Sequence, residues 1–203
     1  MSRFTGPRLK VMRALGVELP GLSRKSIADR PNPPGQHGAR PRRVSGYGAQ
    51  LREKQKLRFN YGLGERQMRR LMTDAKSSRG NAGEKLAELL ERRLDNIVFR
   101  AGFAPTIPSA RQLVNHGHFL VNGKCVNIPS YRVRPGEVVS LVRPNKVLDI
   151  IKFTMEAPSL TRPEWLSWDA VVSTATITHV PALSDLPFPI EMQLVVEYYS
   201  QRM

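Results

Sequence analysis

The sequence predicts an α+β fold: a mostly helical N-terminal domain with an irregular basic arm, then a small module of two short helices packed on a twisted antiparallel β-sheet. Three observations predict it. Residues 1–46 are rich in Pro, Gly and Arg, residues 47–101 place apolar side chains at helical spacing, and residues 118–142 place them with a period of two. The change of period within residues 93–142 is the feature around which the rest of the chain is organised.

The N-terminal arm, residues 1–46, shows the signals of irregular structure most densely between Asn32 and Arg43. Such an arm suits RNA, because glycine lets backbone amides approach phosphates and arginine offers them a planar fork. The alternative interpretation is a disordered tail. Against it, local packing could tether the arm through Phe4, Leu9, Met12, Leu15, Leu19 and Leu22. The basic residues that we expect to contact RNA here are Arg3, Arg8, Lys10, Arg13, Arg40, Arg42 and Arg43.

Two basic helices are predicted next, over Tyr47–Asn60 and Glu65–Ala75, on either side of a Gly-rich break. The second helix turns Met68, Leu71 and Met72 inward, whereas the first has a poorly defined apolar face. A charge run usually marks only a solvated face. Because both helices repeat one sign with little interleaved Glu, we favour a phosphate-facing surface, with the members Arg52, Lys54, Lys56, Arg58, Arg66, Arg69 and Arg70.

A long helix over Glu84–Ala101 is predicted to join the N-terminal domain to the module. One helical stripe supports it, formed by Leu86, Leu89, Leu90, Leu94, Ile97 and Val98, and Gly102 ends it. The segment Ser109–Gln112 has the form of a capping box, which predicts a second helix of about two turns that ends at Gly117.

The strongest local signal is the pair Asn122-Gly123 between two alternating stretches, which suits the left-handed positions of a type I′ hairpin turn. Residues 131–142 add at least one strand, and residues 170–180 are β-prone. We expect Cys125, Trp165 and Trp168 in the core or, for the tryptophans, at a domain junction. Residues 194–199 are expected to pack on the N-terminal helices.

The predicted domains are therefore three. Residues 1–92, joined by residues 186–203, form the basic arm and helical domain; residues 93–153 form the module; and residues 154–185 extend the module domain.

The charge is distributed unevenly along the 203 residues, whose net charge is +15. Residues 1–80 carry a net charge of +14, residues 81–146 carry +5, and the last 57 residues carry −4. The first two thirds of the chain are thus expected to meet a polyanion, and the C-terminal part something else. A charge that served only solubility would be interspersed in sign.

The sequence offers no constellation for catalysis. It has one cysteine, no apolar run of 18 residues, no secretion signal, and no GK[ST] loop or HExxH motif. His116 and His118 lack a neighbouring carboxylate or thiol at metal-ligand spacing, and ion pairing with Arg92 and Arg93 explains Glu91 and Asp95. We therefore expect no metal, no cofactor, no membrane contact and no enzymatic activity, in a reducing compartment.

Five short stretches of the module carry a resemblance to a known family: Arg93-Leu94-Asp95-Asn96, Ala110-Arg111-Gln112-Leu113-Val114, His116-Gly117-His118, Val121-Asn122-Gly123 and Ile128-Pro129-Ser130-Tyr131. They resemble the RNA-binding module of the ribosomal protein S-four family, which other RNA-binding proteins also bear. Outside the module, residues 34–38, 49–58, 65–67, 162–166 and 194–200 also resemble that family and are not shared by those other proteins. The resemblance thus covers nearly the whole chain.

The chain departs from the family pattern in three places. It lacks the N-terminal cysteines with which some members hold zinc, it has Thr106-Ile107 where many have Thr-Arg, and residues 145–157 contain only Lys146 and Lys152 where many have a strongly basic segment. The residues around Pro108 and His116 look most like those of cyanobacterial and plastid members, so the resemblance implies a bacterial cytoplasm or a plastid stroma.

Two functions from different classes remain open. The resemblance implies a structural protein of the small ribosomal subunit that clamps a multi-helix rRNA junction and nucleates assembly of the subunit body. It also implies proximity to the mRNA entry path and influence on decoding accuracy alongside ribosomal proteins S-five and S-twelve. The alternative is an RNA-modifying enzyme, such as a pseudouridine synthase, that uses the module as a grip. Such an enzyme needs a catalytic domain, for which the roughly fifty residues after the module are too few.

In the module we expect one RNA-facing edge, formed by the polar face of the second helix and the tip of the hairpin. Its predicted members are Ser109, Arg111, Gln112, His116, His118, Asn122, Lys124 and Tyr131.

Overall fold

The computed structural model describes residues 4–36, 38–40, 43–144 and 149–202. They form two compact units, Met1–Leu86 with Leu186–Met203, and Ala87–Asp185. The first unit is helical and the second combines helices with an antiparallel sheet, so the α+β class predicted from the sequence is confirmed.

The first unit contains α1 (Arg8–Leu15), α2 (Gly46–Asn60), α3 (Glu65–Ser77) and the C-terminal helix α8 (Met192–Ser200). α2 begins where the Ser45 hydroxyl accepts a hydrogen bond from the Gly48 amide at 3.1 Å, which satisfies a free donor of the first turn. α3 is amphipathic as predicted, with Met68, Leu71 and Met72 buried. α8 packs against α2 and α3 and buries Val195, Tyr198 and Tyr199.

The arm is more regular than its composition indicates, because it contains α1. Met12 and the following Leu19 and Leu22 are buried, so three of the six apolar residues proposed as tethers pack inside. The Gly21 amide donates to Asn60 Oδ1 at 3.0 Å, which attaches the arm to the end of α2.

The second unit contains α5 (Leu94–Arg100), α6 (Ile107–Asn115), β1 (Phe119–Val121), β2 (Lys124–Cys125), β3 (Val138–Leu141), α7 (Asp149–Glu156), β4 (Leu166–Asp169), β5 (Thr174–Ile177) and a 3₁₀ turn at Leu183–Asp185. Helix α4 spans Ala82–Glu91, with its residues up to Leu86 in the first unit and those from Ala87 in the second. Within the described residues the strands form one sheet in the order β2-β1-β3-β5-β4, with antiparallel neighbours. Strands β4 and β5, which follow residue 153, are therefore part of the same sheet as the hairpin.

The prediction of one continuous helix over Glu84–Ala101 is wrong, because the helix is interrupted between α4 and α5. Arg93 is extended, with φ −68° and ψ 137°, and forms a β-bridge with Arg132. The amide of Val133 donates to Arg92 O, and the amide of Leu94 donates to Tyr131 O, both at 2.9 Å. A segment far along the chain thus takes the backbone groups that a continuous helix would use.

The predicted capping box at Ser109 is also wrong. α6 begins two residues earlier, at Ile107, so that Ser109 lies inside the helix, and Pro108 occupies the first turn, where a proline costs no hydrogen bond. The end of α6 is as predicted, with Gly117 at φ +73°.

The type I′ hairpin is confirmed. Asn122 and Gly123 have φ values of +48° and +78°, and Val121 pairs with Lys124 across the turn. Of the expected core residues, Trp165 is fully buried and Trp168 half-buried, but the prediction for Cys125 is wrong: it is exposed on β2. β2 is an edge strand of two residues, which leaves its side chains uncovered.

Candidate RNA-binding surfaces

The outward face of α3 is basic. Arg66, Arg69 and Arg70 are exposed on the side opposite the buried methionines, as predicted. The structure shows no ion pair for these three arginines among the residues that it describes. Their charges are therefore available to a polyanion.

One further member of this face was not predicted. Lys76 is exposed and follows Arg69 by seven residues, which is two helical turns, so the helical period itself could have identified it. We call Arg66, Arg69, Arg70 and Lys76 the α3 basic face.

Helix α2 differs from its prediction, because two of its lysines point inward. Lys54 is 4% exposed and Lys56 8%. Lys54 Nζ lies 2.8 Å from Glu65 Oε2, and Lys56 Nζ lies 2.6 Å from Glu53 Oε1 and donates to Pro189 O at 3.3 Å. Lys54 thus links α2 to α3, and Lys56 links α2 to the segment before α8, so the continuous phosphate-facing surface predicted across both helices is wrong at Lys54 and Lys56.

The other two basic residues of α2 differ from each other. Arg52 is exposed, as predicted. Arg58 is half-buried, with Nη1 donating to Gln55 Oε1 at 3.3 Å and its guanidinium 5.2 Å from the centre of the Phe59 ring. Only Arg52 has the exposure expected of a phosphate ligand.

The basic residues of the arm fall into two groups. Arg8 donates to Leu22 O at 3.3 Å and Arg13 to Asn32 O at 3.0 Å, so both brace the arm. Lys10, Arg40 and Arg43 are exposed, whereas the predicted ligands Arg3 and Arg42 lie outside the described residues.

A basic turn in the arm was missed by the sequence analysis. Lys25 and Arg30 are exposed on either side of Ser26 and Ile27, which both donate to Glu18 Oε1. These two hydrogen bonds hold the pKa of the Glu18 carboxyl below its ordinary value, the bond from Ser26 contributing most. Glu18 thus stays ionised and fixes the turn that carries the two basic side chains.

In the second unit, α6 exposes Gln112 and His116 along its polar face, while Ser109 and His118 are half-buried. The rings of His116 and His118 lie 6.2 Å apart at the end of the helix. Of the members of the predicted edge that lie at this helix, Gln112 and His116 are thus exposed, and Ser109 and His118 are partly covered.

Arg111 is held by a buried carboxylate. Its Nε and Nη2 donate to Asp95 Oδ2 at 3.0 and 2.7 Å, and Arg93 donates to the same carboxylate through two further bonds. Asp95 is fully buried and Arg111 is half-buried. Ion pairing of Asp95 with its sequence neighbours was predicted, but its second partner comes from α6, which the sequence does not indicate.

At the hairpin tip, Lys124 is exposed, as predicted. Asn122 is exposed too, but its side chain has a structural task, because Oδ1 accepts a hydrogen bond from the Val138 amide at 2.9 Å. The hairpin tip is thereby fixed to β3.

Tyr131 also has an internal partner. Its hydroxyl donates to Glu137 Oε1 at 3.2 Å, and burial, followed by the charge of Glu137, raises the pKa of Tyr131 above its ordinary value. Nearby Arg134 is exposed, and so is Arg143 after β3. Neither arginine was singled out from the sequence, because each directly precedes a proline outside any periodic element.

The described part of the chain contains neither a candidate metal site nor a candidate membrane-spanning helix. No group of three or more His, Cys, Asp or Glu residues could hold a metal ion there. No helix among those residues is sufficiently long and apolar to span a membrane.

Comparisons with known proteins match this geometry to one family. A model described as the ribosomal protein S4/S9 N-terminal domain matches residues 3–91, and one described as the S4 domain matches residues 92–139. A small ribosomal subunit protein uS4 of Methylobacillus flagellatus is 61% identical over the full length of both chains, and a uS4B of Nitrosomonas europaea is 60% identical over the same extent.

A cyanobacterial relative, the uS4 of Acaryochloris marina, is 51% identical over the full length of both chains. The expected likeness to cyanobacterial members is therefore present but weaker than that to the uS4 of M. flagellatus. With matched models from residue 3 to residue 139 and full-length relatives at 60% and 61% identity, the chain belongs to the uS4 family of small ribosomal subunit proteins.

Proposed function

We propose that this chain is a structural constituent of the small ribosomal subunit that binds rRNA early and clamps a multi-helix junction by shape and phosphate contacts. The observation that carries the proposal is the α3 basic face, on which four cationic side chains project from one rigid helix. From Arg66 to Lys76 this face extends over about 15 Å, which is long enough to follow an RNA strand rather than a single anion.

The arm supplies a second group of contacts. Lys10, Lys25, Arg30, Arg40 and Arg43 are exposed on a segment that is attached to α2 by the Gly21–Asn60 hydrogen bond. Attachment reduces the entropy that the arm loses on binding, so these residues bind phosphate at a lower cost than a free tail would.

The module supplies a third group, from α6 and the hairpin tip: Arg111, Gln112, His116 and Lys124. Exposed Arg134 and Arg143 add positive charge to the same unit. The sheet carries no exposed aromatic row for base stacking among its described strands, which favours recognition through phosphates and helix shape.

Family membership supports the finer roles: nucleation of the subunit body, proximity to the mRNA entry path, a contact with ribosomal protein S-five, and a functional link to S-twelve in decoding accuracy. We propose these for the cytoplasmic ribosome of a bacterium. No catalytic role is proposed.

An RNA-modifying enzyme is the weaker alternative. The residues after the module are used structurally, since β5 pairs with β3, and α8 packs against α2 and α3. Little of that stretch is left to build a catalytic domain.

Binding of the purified chain to a small-subunit rRNA junction fragment and to an unrelated RNA duplex tests the proposal, at about 50 and 200 mM salt. We expect both affinities to fall steeply, by about 10³ to 10⁵ for six to ten phosphate contacts, with a preference for the junction that survives the higher salt. Equal affinity for both RNAs would contradict the proposal and reopen the alternative.

A further inference from the structure

Asp95 holds together three segments of the second unit. Its side chain is fully buried at the start of α5 and accepts hydrogen bonds from Arg93 Nε at 3.0 Å and Arg93 Nη2 at 2.7 Å. The same carboxylate accepts the two bonds from Arg111 of α6, at 3.0 and 2.7 Å. Two guanidinium groups therefore converge on one carboxylate.

The backbone of the same residue holds the segment that contains Tyr131. The amide of Asp95 donates to Pro129 O at 3.1 Å, and the amide of Leu94 donates to Tyr131 O at 2.9 Å. The side chain of Asp95 thus sets the position of Arg111, and its backbone sets that of residues 129–131.

Stability alone is an incomplete account of this arrangement. The bidentate pair with Arg93 already balances the charge of Asp95, whereas Oδ2 also accepts hydrogen bonds from Arg111, which lies 16 residues away and whose side chain is 20% exposed. One negative charge against two positive ones leaves a net charge of +1 in the cluster. The carboxylate consequently orients Arg111 without cancelling the positive charge of the site.

We propose that Asp95 is a positioning residue for RNA binding: it fixes the guanidinium of Arg111 in one orientation before RNA arrives, so that binding does not have to order a long side chain. This inference rests on the proposed function, because it takes the edge of α6 to face RNA. Pre-organisation of this kind improves affinity without adding a contact to the ligand.

The sign of the effect distinguishes this role from general electrostatics. Removing a negative charge from an RNA-binding protein is expected to strengthen binding, or to leave it unchanged when the charge is distant. If Asp95 positions Arg111, then Asp95→Asn weakens binding even though the chain becomes more positive. The amide has one acceptor oxygen where the carboxylate has two, so it cannot accept from both guanidinium groups as the carboxylate does.

The test is a double-mutant cycle on the rRNA junction fragment at constant salt, with wild type, Asp95→Asn, Arg111→Ala and the double variant. We expect Asp95→Asn and Arg111→Ala each to lower affinity about tenfold, the loss typical of one charged hydrogen bond, and the double variant to lose no more than either single variant. Asp149→Asn is the matched control, since Asp149 is an exposed carboxylate of the same unit, and its affinity should be unchanged or slightly higher.

Asp95→Asn affinity equal to or above that of wild type would overturn the proposal, as would additive losses in the double variant. Thermal unfolding of each variant shows whether it is folded at the temperature of the binding measurement. If Asp95→Asn is unfolded, Arg111→Lys is the deciding variant, because lysine keeps the positive charge but cannot form the two parallel hydrogen bonds of a guanidinium. The positioning role predicts that Arg111→Lys loses about as much affinity as Arg111→Ala, with an unchanged salt slope. Wild-type affinity in Arg111→Lys would contradict it.

The two proposals fail in different ways. If wild type shows no preference for the junction fragment, the proposed function is wrong. If wild type prefers the junction and Arg111→Ala binds as well as wild type, only the positioning role is wrong.

Discussion

Helices α2 and α3 are neighbours in sequence and carry charge of the same sign, but they use it differently. In α2, Lys54 and Lys56 are buried against Glu65 and Glu53. In α3, Arg66, Arg69 and Arg70 are exposed and form no ion pair among the described residues. The difference teaches that a basic helix exposes its charge only on the side that no other helix covers, and α8 covers α2.

This comparison predicts that the two sets of cations affect different properties. Replacing the exposed arginines should change RNA binding and leave stability intact. Replacing the buried lysines should change stability and leave the salt dependence of RNA binding intact.

The largest effect is expected from the triple variant Arg66→Gln, Arg69→Gln and Arg70→Gln. Loss of three phosphate contacts should flatten the plot of log affinity against log salt by about 2 to 3 units and lower affinity roughly 10²- to 10³-fold. Because glutamine is also a good helix former and the sites are exposed, the free energy of unfolding should stay within about 0.5 kcal/mol per site. Fluorescence anisotropy across a salt series measures the slope, and a wild-type slope would exclude the α3 basic face from the interface.

The next effect is a loss of stability in Lys56→Met. This variant leaves the carboxylate of Glu53, which is 8% exposed, without its ammonium partner, and breaking such a pair costs about 3 kcal/mol. Denaturant unfolding measures the loss, while the salt slope for RNA should not change. Lys25→Met is the matched control: it removes an exposed lysine of the arm, so it should flatten the slope by about one unit and leave stability unchanged.

Val195→Ala tests the packing of α8 on α2. Val195 is fully buried in α8, and removing its two methyl groups should reduce the free energy of unfolding by about 1 to 3 kcal/mol through lost burial and a residual cavity. Urea denaturation monitored by circular dichroism measures it. A change below about 0.5 kcal/mol, typical of a surface site, would mean that α8 is not packed as described.

The smallest effect concerns pH. Burial raises the pKa of the Glu65 carboxyl, but hydrogen bonds from Lys54 and Tyr199 outweigh it, so its pKa lies below the ordinary value of 4.5. A carboxyl with a lowered pKa in the folded state contributes stability above its unfolded pKa and loses that contribution as the pH falls through the folded value. Glu65→Gln should therefore reduce the acid sensitivity of thermal unfolding below pH 4.5. If wild type and Glu65→Gln lose stability in parallel there, the carboxylate has no such role.

Tyr199 belongs to the same network, because its hydroxyl donates to Glu65 Oε1 at 3.0 Å. Burial and then the charge of Glu65 raise the pKa of Tyr199 well above its ordinary value, so the hydroxyl remains a donor throughout the neutral range. Lys54 of α2 and Tyr199 of α8 thus meet at one carboxylate, that of Glu65 at the start of α3.

Features that depend on neighbouring residues were predictable from the sequence. The hairpin at Asn122-Gly123, the glycine end of α6 and the inward face of α3 all follow from local preferences and from helical or strand period. The class of the fold and the exposure of the α3 arginines were predicted from the same local patterns.

Features that depend on distant residues were not predictable. The interruption at Arg93 exists because Tyr131 and Val133 pair with the backbone groups of Leu94 and Arg92 on either side of it. Lys56 is buried where it donates to the carbonyl of Pro189, 133 residues away. Asp95 meets Arg111 across 16 residues for the same reason. In each case the sequence shows the charge or the apolar stripe, and the packing partner decides which face is covered.

The most direct test is residue-specific chemical modification of arginine and lysine, read by mass spectrometry, on the free chain and on its complex with the rRNA junction fragment. We expect Arg66, Arg69 and Arg70 to react in the free chain and to be protected in the complex, and Lys54 and Lys56 to be unreactive in both states. Arginines of α3 that react equally in both states, or lysines of α2 that react in the free chain, would contradict the separation of the two helices into an RNA-facing and a buried set.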